Sequence, residues 1–391
     1  MDEKHVDDSV NTKSINEKLK SLDKESATVE YTGIWGKLIA ALCICFSLFQ
    51  IYTGFFGAFD AMIQRCVHLS FGISLVFLLC PTKKAWIRGG KVNPLDLGLA
   101  ILAAIPPIYI LVNYQSLILR AGTVTTTDFI IGLLGIVMVL EAARRIVGTS
   151  IVAVVILFLV YGYFGPYMPG PLAHRGLSME QMVSHLFFTT EGVFGIPLGV
   201  SSTFIFLFIL FGAYLEKTGL GKFFIDIANA IAGWASGGPA KVAVISSALQ
   251  GTISGSSVAN VVGSGSFTIP MMKKLGYKKD FAGAVEAAAS TGGQLMPPIM
   301  GAAAFLMAEF VGVPYMEVVK AAIVPAVLYF IGVFLGVHFE AKKENLVGTP
   351  RSKLPSARAI MHEEGHLAIP LLAIIGLLAS GYTPMKAALG G

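Results

Sequence analysis

Long apolar runs separated by short polar ones set the pattern of this chain. A bilayer-spanning helix needs ~20 mostly apolar residues, within a range of about 17–25. Runs of that kind lie at 36–57, 64–80, 95–115, 127–143 and 148–165, and again at 198–216, 240–258, 281–312 (interrupted), 317–340 and 367–381. The pattern predicts an all-α integral membrane protein, a polytopic helical bundle. Residues 1–33 break it. They are polar, mixed in charge and lack the basic-then-apolar order of a secretory signal. They read as a disordered cytoplasmic tail.

Charge placement orients the bundle, because cytoplasmic loops carry an excess of Lys and Arg. With the N-terminus inside, the loop after the second run holds Lys83, Lys84, Arg88 and Lys91, and Arg144 and Arg145 follow the fourth. Lys273, Lys274, Lys278 and Lys279, then Lys342, Lys343, Arg351, Lys353 and Arg358, fall on the same side. The outside loops hold little beyond Arg65, Arg120 and Arg175. The bias keeps one sign only if residues 240–272 enter and leave on one face, with Lys241 and Lys273 both cytoplasmic. Two arms joined at a Gly/Ser tip, a re-entrant hairpin, satisfy that condition.

Composition agrees. Hydrophobic residues make up 54% and charged ones 14%, against about 25% charged in soluble domains; mean hydropathy is +0.71. The net charge of +5 is modest, and no basic patch with interleaved aromatics suggests nucleic acid. Cys43, Cys45, Cys66 and Cys80 lack metal-type spacing and read as small buried apolar residues. Helices before about residue 166 are rich in Leu, Ile and Phe. Gly165–Pro171 reads as an external turn, and residues 218–238 as an interfacial amphipathic helix. From 240 onward Gly, Ala and Ser dominate, which suits close helix packing.

Two runs carry candidate chemistry. In Gly251–Ser266, a hairpin tip bearing Ser254, Ser256, Ser257 and Asn260 offers neutral hard oxygens suited to Na⁺. Half-helix N-termini there would also favour an anionic substrate. The plainer alternative is a small-residue packing face of an ordinary span. In Ser290–Pro298, Gly292 and Gly293 weaken the helix, and Pro297 and Pro298 cannot donate backbone hydrogen bonds. A broken helix at membrane depth is expected, with Thr291 and Gln294 beside it; the alternative is a proline kink. Ile105-Pro106-Pro107 is the control, a double proline without Gly or polar neighbours, read as a kink alone. Glu286 and Glu309 sit in or near apolar runs, where an ionisable residue is a functional candidate by default. Glu141 reads as part of a helix-end cluster with Arg144 and Arg145.

A rival motif, His362-Glu-Glu-Gly-His366, matches H-E-x-x-H and would place two imidazoles on one helix face for zinc. An intramembrane zinc metalloprotease needs a third ligand, and no Asp, Glu or His follows in the chain. A channel is the other alternative and would need a ring of polar residues. No P-loop or serine-protease arrangement is present.

Gly237-Gly-Pro-Ala-Lys-Val-Ala-Val-Ile-Ser-Ser, Gly251-Thr-Ile-Ser-Gly-Ser-Ser-Val-Ala-Asn, Phe267-Thr-Ile-Pro-Met-Met, Ala289-Ser-Thr-Gly-Gly-Gln-Leu-Met-Pro-Pro-Ile-Met-Gly-Ala-Ala-Ala-Phe and Met307-Ala-Glu resemble the large membrane subunit of TRAP transporters. The resemblance is to the TAXI-type branch, in which small and large subunits are fused, and Leu140–Gly148 looks like the end of that branch's small-subunit portion. It implies an elevator-type inverted-repeat fold, with residues 34–147 as a small-subunit-like four-helix membrane domain. Residues 148–170 would be a connecting transmembrane helix, and 171–391 the first part of a large-subunit-like transport domain. The implied activity is sodium-coupled import of small organic acids delivered by a periplasmic solute-binding protein, in the bacterial inner membrane. By motif, Ser254, Ser256, Ser257, Asn260, Thr291, Gly292 and Gly293 would hold Na⁺. Substrate would lie beside them, at Ser256, Asn260, Gln294 and Pro297. No organic cofactor is implied. Such fused permeases continue through a second repeat, so the resemblance implies a chain truncated after its first.

Overall fold

The computed structural model describes residue 29 and residues 31–82, 92–120 and 122–391. Almost all of the predicted tail, and the basic loop at 83–91, lie outside the described residues. The chain divides into two compact units, Met1–Ser202 and Thr203–Gly391.

In the first unit α1 (Gly33–Phe56) and α2 (Ala61–Leu79) are followed by α3 (Pro94–Val112), the short α4 (Tyr114–Leu119), α5 (Thr126–Ile146), α6 (Thr149–Phe164) and α7 (Met179–Phe188). Local chemistry sets the starts. Asp60 accepts from Met62 N at 3.0 Å, Asn93 accepts from Leu95 N at 3.0 Å just ahead of Pro94, and Thr125 with Asp128 forms a capping box. Ile73, Phe77, Ala100, Ala103, Met138 and Ala142 bring α2, α3 and α5 together. At the end of α5, Glu141 holds Arg144 at 2.7 Å and Arg145 at 2.9 Å, as the spacing predicted, and Arg145 also reaches the buried Asp96 at 2.8 Å. Pro106 and Pro107 lie inside an unbroken α3.

An eighth helix, α8 (Ile196–Lys217), carries a π turn at Ser201–Ile205 and runs into the second unit. There follow α9 (Leu220–Ala232), α10 (Gly238–Ser254), α11 (Ser257–Lys274), α12 (Lys279–Gly292), α13 (Ala302–Val311), α14 (Tyr315–Lys343), α15 (Ala357–Glu363), α16 (Ile369–Ala379) and α17 (Pro384–Gly390). The core is built from small side chains: Ala240, Ala243, Ala282 and Ala289, filled in by Met272 and Phe330. Small residues let backbones approach closely, the packing available to helices that share an apolar solvent.

Six described helices are long and apolar enough to cross a membrane: α1, α2, α3, Thr149–Tyr167, α8 and α14. A seventh arises if α15 and the following Gly365–Ala379, bent by 71°, make one span. Exposed Val154, Leu157 and Phe158 on α6, and Val324, Leu328 and Phe339 on α14, suit lipid rather than water. The chain is an all-helical multi-pass membrane protein. One detail of the sequence reading needs correcting: only Cys66 is buried, Cys43 and Cys80 are half-buried, and Cys45 is exposed on α1.

Candidate functional site

The hairpin begins as one long Gly/Ala/Ser stretch and turns at Gly255, whose φ of +56° is open to glycine at little cost. There Ser256 caps α11, accepting from Ala259 N at 3.3 Å. The two arms then run back along each other. Asn260 Nδ2 on α11 donates to Ser247 O on α10 at 2.8 Å, and the Ser247 and Ser264 hydroxyls meet at 3.2 Å. At the base, Tyr277 donates to Gly237 O at 3.3 Å, and burial, with Glu340 adding to it, pushes its phenol up to about 12.

The predicted break is also present. α12 ends at Gly292, and the chain does not return to helix until Ala302. Pro297–Pro298 is a cis bond inside this stretch, and Tyr315 Oη donates to Pro298 O and Ile299 O, each at 2.7 Å. Double proline therefore breaks this helix where it does not break α3, and the adjoining glycines are the difference.

Hairpin and break are pressed together. A Cβ on Gly251 would lie 2.5 Å from Gly293 Cα, one on Gly293 would lie 2.6 Å from Asn260 Nδ2, and one on Gly255 would lie 2.0 Å from Met300 O. Gln294 Nε2 donates to Ser257 Oγ at 3.2 Å. Ser254, Ser256 and Asn260 line one cavity of about 340 Å³, together with Gln250, Glu216 and the apolar Ile209 and Ile253. Thr291 is exposed, with its hydroxyl donating to Ala287 O at 2.7 Å. Gly292 faces the rings of Tyr329 and Phe330 on α14. Pro297 is half-buried within the unwound stretch.

Several residues of this region were not singled out from the sequence. Gln250 is 7% exposed, and its amide oxygen has no hydrogen-bond partner among the described residues. Ser247, Ser264, Thr268 and Ser290 surround Glu286. The signal was present as polar side chains spaced by four residues, the hydroxyls of Ser264 and Thr268 and the carboxyl of Glu286 with the hydroxyl of Ser290, which share a helix face. Lys241, read as a cytoplasmic marker, is 4% exposed, with its ammonium 3.0 Å from His338 Nδ1 and over the Phe334 ring. Glu309 is exposed on α13. His362 lies in α15 and His366 in the 3₁₀ turn beyond it, so no continuous α-helix carries both imidazoles. Among the described residues no group of three or more His, Cys, Asp or Glu side chains is placed to hold a metal ion.

A helical hairpin set against a broken helix, within a multi-pass bundle, is the architecture of a polytopic membrane transporter. Residues 134–391 match the model of the Tripartite ATP-independent periplasmic transporter, DctM component, and the chain belongs to that family. It is 32% identical over 182 residues to the C4-dicarboxylate TRAP transporter large permease protein DctM of Vibrio cholerae, a match covering 46% of this chain and 40% of that protein. The corresponding protein of Pseudomonas aeruginosa is 31% identical, over 46% and 42% of the two chains. The sialic acid TRAP transporter large permease protein SiaM of Vibrio cholerae is 25% identical, also over 46% and 42%. The chain thus spans less than half the length of the curated relatives it matches. Its family is one of transporters rather than enzymes, and neither the metalloprotease nor the channel alternative gains support.

Proposed function

We propose that this chain is the membrane permease component of a sodium-coupled TRAP-type transporter that imports small organic acids. In this reading a periplasmic solute-binding protein delivers the substrate. The protein is of the TAXI-type, fused kind, lies in the bacterial inner membrane with its N-terminus cytoplasmic, and enters the membrane with residues 240–272 as a re-entrant hairpin. The scaffold is the part up to residue 147, the span at 148–170 is the connector, and the part from 171 carries the site.

The observation that carries this is the packing of the hairpin tip on the broken helix. It seats Gly293 on the Asn260 amide, while Ser254, Ser256 and Asn260 line a cavity that the hairpin shares with Gly212 and Glu216 of α8 and Gly221 of α9. In this reading carbonyls at Thr291–Gly293, where α12 gives way to the unwound stretch, join the hydroxyls of Ser254, Ser256 and Ser257 and the amide oxygen of Asn260 in a neutral oxygen set for Na⁺. Neutral ligands suit this depth because a carboxylate at the bilayer centre costs about 2.5–3.5 kcal/mol on insertion scales. Substrate lies beside the ion, against Ser256, Asn260, Gln294 and Pro297. The residues lining the cavity include Glu216 and no Lys or Arg. The bound cation therefore supplies the positive charge that a carboxylate substrate needs, so ion binds first and substrate second. The test is thermal unfolding of the purified chain in sodium against potassium at equal ionic strength. Sodium-specific, saturable stabilisation is expected, and equal midpoints in the two salts would overturn the ion assignment.

A further inference from the structure

Glu286 is left unused by the sodium reading. Its carboxyl is 1% exposed on α12, and its four partners are all hydroxyls. Ser264 bonds Oε1 and Thr268 bonds Oε2, both from α11, while Ser247 from α10 lies 3.5 Å and Ser290 3.2 Å from Oε1. Among the described residues no cationic group touches it. α10, α11 and α14 pack against α12. Lys241 on α10 is engaged by His338, and Lys273 and Lys274 end α11. The charged residues of α14 are Glu317, Lys320, Glu340, Lys342 and Lys343, and those of the first turn of α12 are Lys279 and Asp280. None of them contacts the carboxyl.

Each hydroxyl owns a single proton, and three of them have a competing acceptor, Ser247 and Ser264 being each other's at 3.2 Å. Ser264 Oγ lies 2.8 Å from Asn260 O and 3.4 Å from Asn260 Oδ1, and Thr268 Oγ1 lies 3.0 Å from Ser264 O. With Glu286 ionised, Ser264 and Thr268 both donate to the carboxylate. With Glu286 protonated, the acid proton is itself the donor. If it sits on Oε1 it is given to Ser264, whose own proton then turns to Asn260. If it sits on Oε2 it is given to Thr268, whose proton turns to Ser264 O. Both charge states are hydrogen-bonded by the same cage, as a buried polar group requires. The Oε1 form differs where it matters, because it turns the Ser264 proton toward Asn260, chiefly to its backbone O at 2.8 Å and as a shared, longer bond to its amide oxygen at 3.4 Å. The share the amide oxygen accepts is taken from a lone pair that a cation would use.

We propose that the hydroxyl cage around Glu286 is a proton-binding site whose occupation withdraws the Asn260 amide oxygen from the neighbouring cation. The second half of this statement rests on the sodium reading above. Proton and sodium ion then oppose each other across one serine hydroxyl. By linkage the proton should weaken sodium binding as much as sodium weakens proton binding, between about 5- and 150-fold for typical coupled sites.

The experiment uses the purified full chain in two arms. Infrared difference spectra between acidic and alkaline buffer should show a protonated carboxyl C=O band that is lost in Glu286→Gln. The band should shift in Thr268→Val, which removes a bond to the carboxyl but keeps the acid and assigns the band even where Glu286→Gln fails to fold. In the second arm, the sodium midpoint for thermal stabilisation should rise on acidification over the same range. It should be independent of pH in Glu286→Gln and less dependent in Ser264→Ala. A band unchanged in both variants, or no band at any pH at which the protein stays folded, overturns the proton site. An unaltered pH dependence in both Ser264→Ala and Glu286→Gln overturns the coupling. Wild-type protein indifferent to sodium at every pH sinks the sodium reading instead, and the infrared arm still decides the proton site.

Discussion

Replacing Gly251 by Ala tests a close backbone approach between α10 and the unwound stretch. The added methyl would sit 2.5 Å from Gly293 Cα and 3.1 Å from Gly293 O, whereas carbon atoms rest at about 3.5–4.0 Å. Both obstacles are backbone, so no side chain can swing aside, and hairpin and broken helix must part by roughly 1 Å. Overpacking of this kind costs about 1–3 kcal/mol, and a backbone obstacle belongs at the upper end. Against it, Ala inside α10 gains about 0.5–1 kcal/mol in helix preference over Gly. The expected net is a loss of about 2 kcal/mol, with the ion site opened as well. Gly336 on α14 is the control, since a Cβ there meets nothing within 4 Å. Gly336→Ala should stabilise by the preference alone, about 0.5–1 kcal/mol. The assay is thermal unfolding of purified protein followed by tryptophan fluorescence or thiol exposure. If Gly251→Ala is as stable as Gly336→Ala, hairpin and break are not in contact in the membrane.

Other outcomes follow from particular contacts. Arg145→Ala should cost about 3–5 kcal/mol of stability, because it leaves the buried Asp96 without its cation and uncovers the Phe77 ring on which the guanidinium lies; a change under about 1 kcal/mol would mean a solvated, weak pair. For the re-entrant hairpin, Trp234→Cys and Lys273→Cys, both at exposed positions flanking it, should react with an impermeant thiol reagent from the same side as Lys343→Cys. Labelling from opposite sides would make the two arms a pair of spans with another topology. Lys241 is buried and is the wrong place to probe. Chelator-washed protein should hold no stoichiometric zinc, and His366→Ala should leave its metal content unchanged; a one-to-one zinc lost in the variant would revive the metal site.

Much of the fold was legible because the signals are strong and local. Apolar runs of span length became helices, Gly255 turned the hairpin, and Gly292-Gly293 with Pro297-Pro298 broke a helix that Pro106-Pro107 alone did not. The Arg144 and Arg145 cluster on Glu141 followed from helix spacing. What stayed hidden depends on which faces meet. Asp96 as a partner of Arg145 is distant in sequence, and the burial of Lys241 against His338 needed α14 to be placed. Gln250 reads as one more polar residue in a small-residue helix until α8 and α9 close the cavity beside it. Glu286 stood out for its charge alone, and only the hairpin's fold supplies three of its four hydroxyls, Ser247, Ser264 and Thr268. Gly292 illustrates the converse, since its place in a motif did not reveal that it faces Tyr329 and Phe330.

The central claim is that the hairpin tip and the unwound stretch hold sodium. Equilibrium binding of radiolabelled sodium to the purified chain measures this most directly, comparing wild type with Asn260→Ala. Asn260 donates to Ser247 O as well as offering its oxygen, so Asn260→Asp, which keeps an oxygen there, is the companion variant. Saturable binding, displaced by unlabelled sodium and not by potassium, is expected. It should weaken in Asn260→Ala by about 5- to 150-fold, the equivalent of about 1–3 kcal/mol for one good polar contact unmade, and be largely kept in Asn260→Asp. Absence of saturable sodium binding by the folded protein, or identical affinity in wild type and Asn260→Ala, would contradict the account.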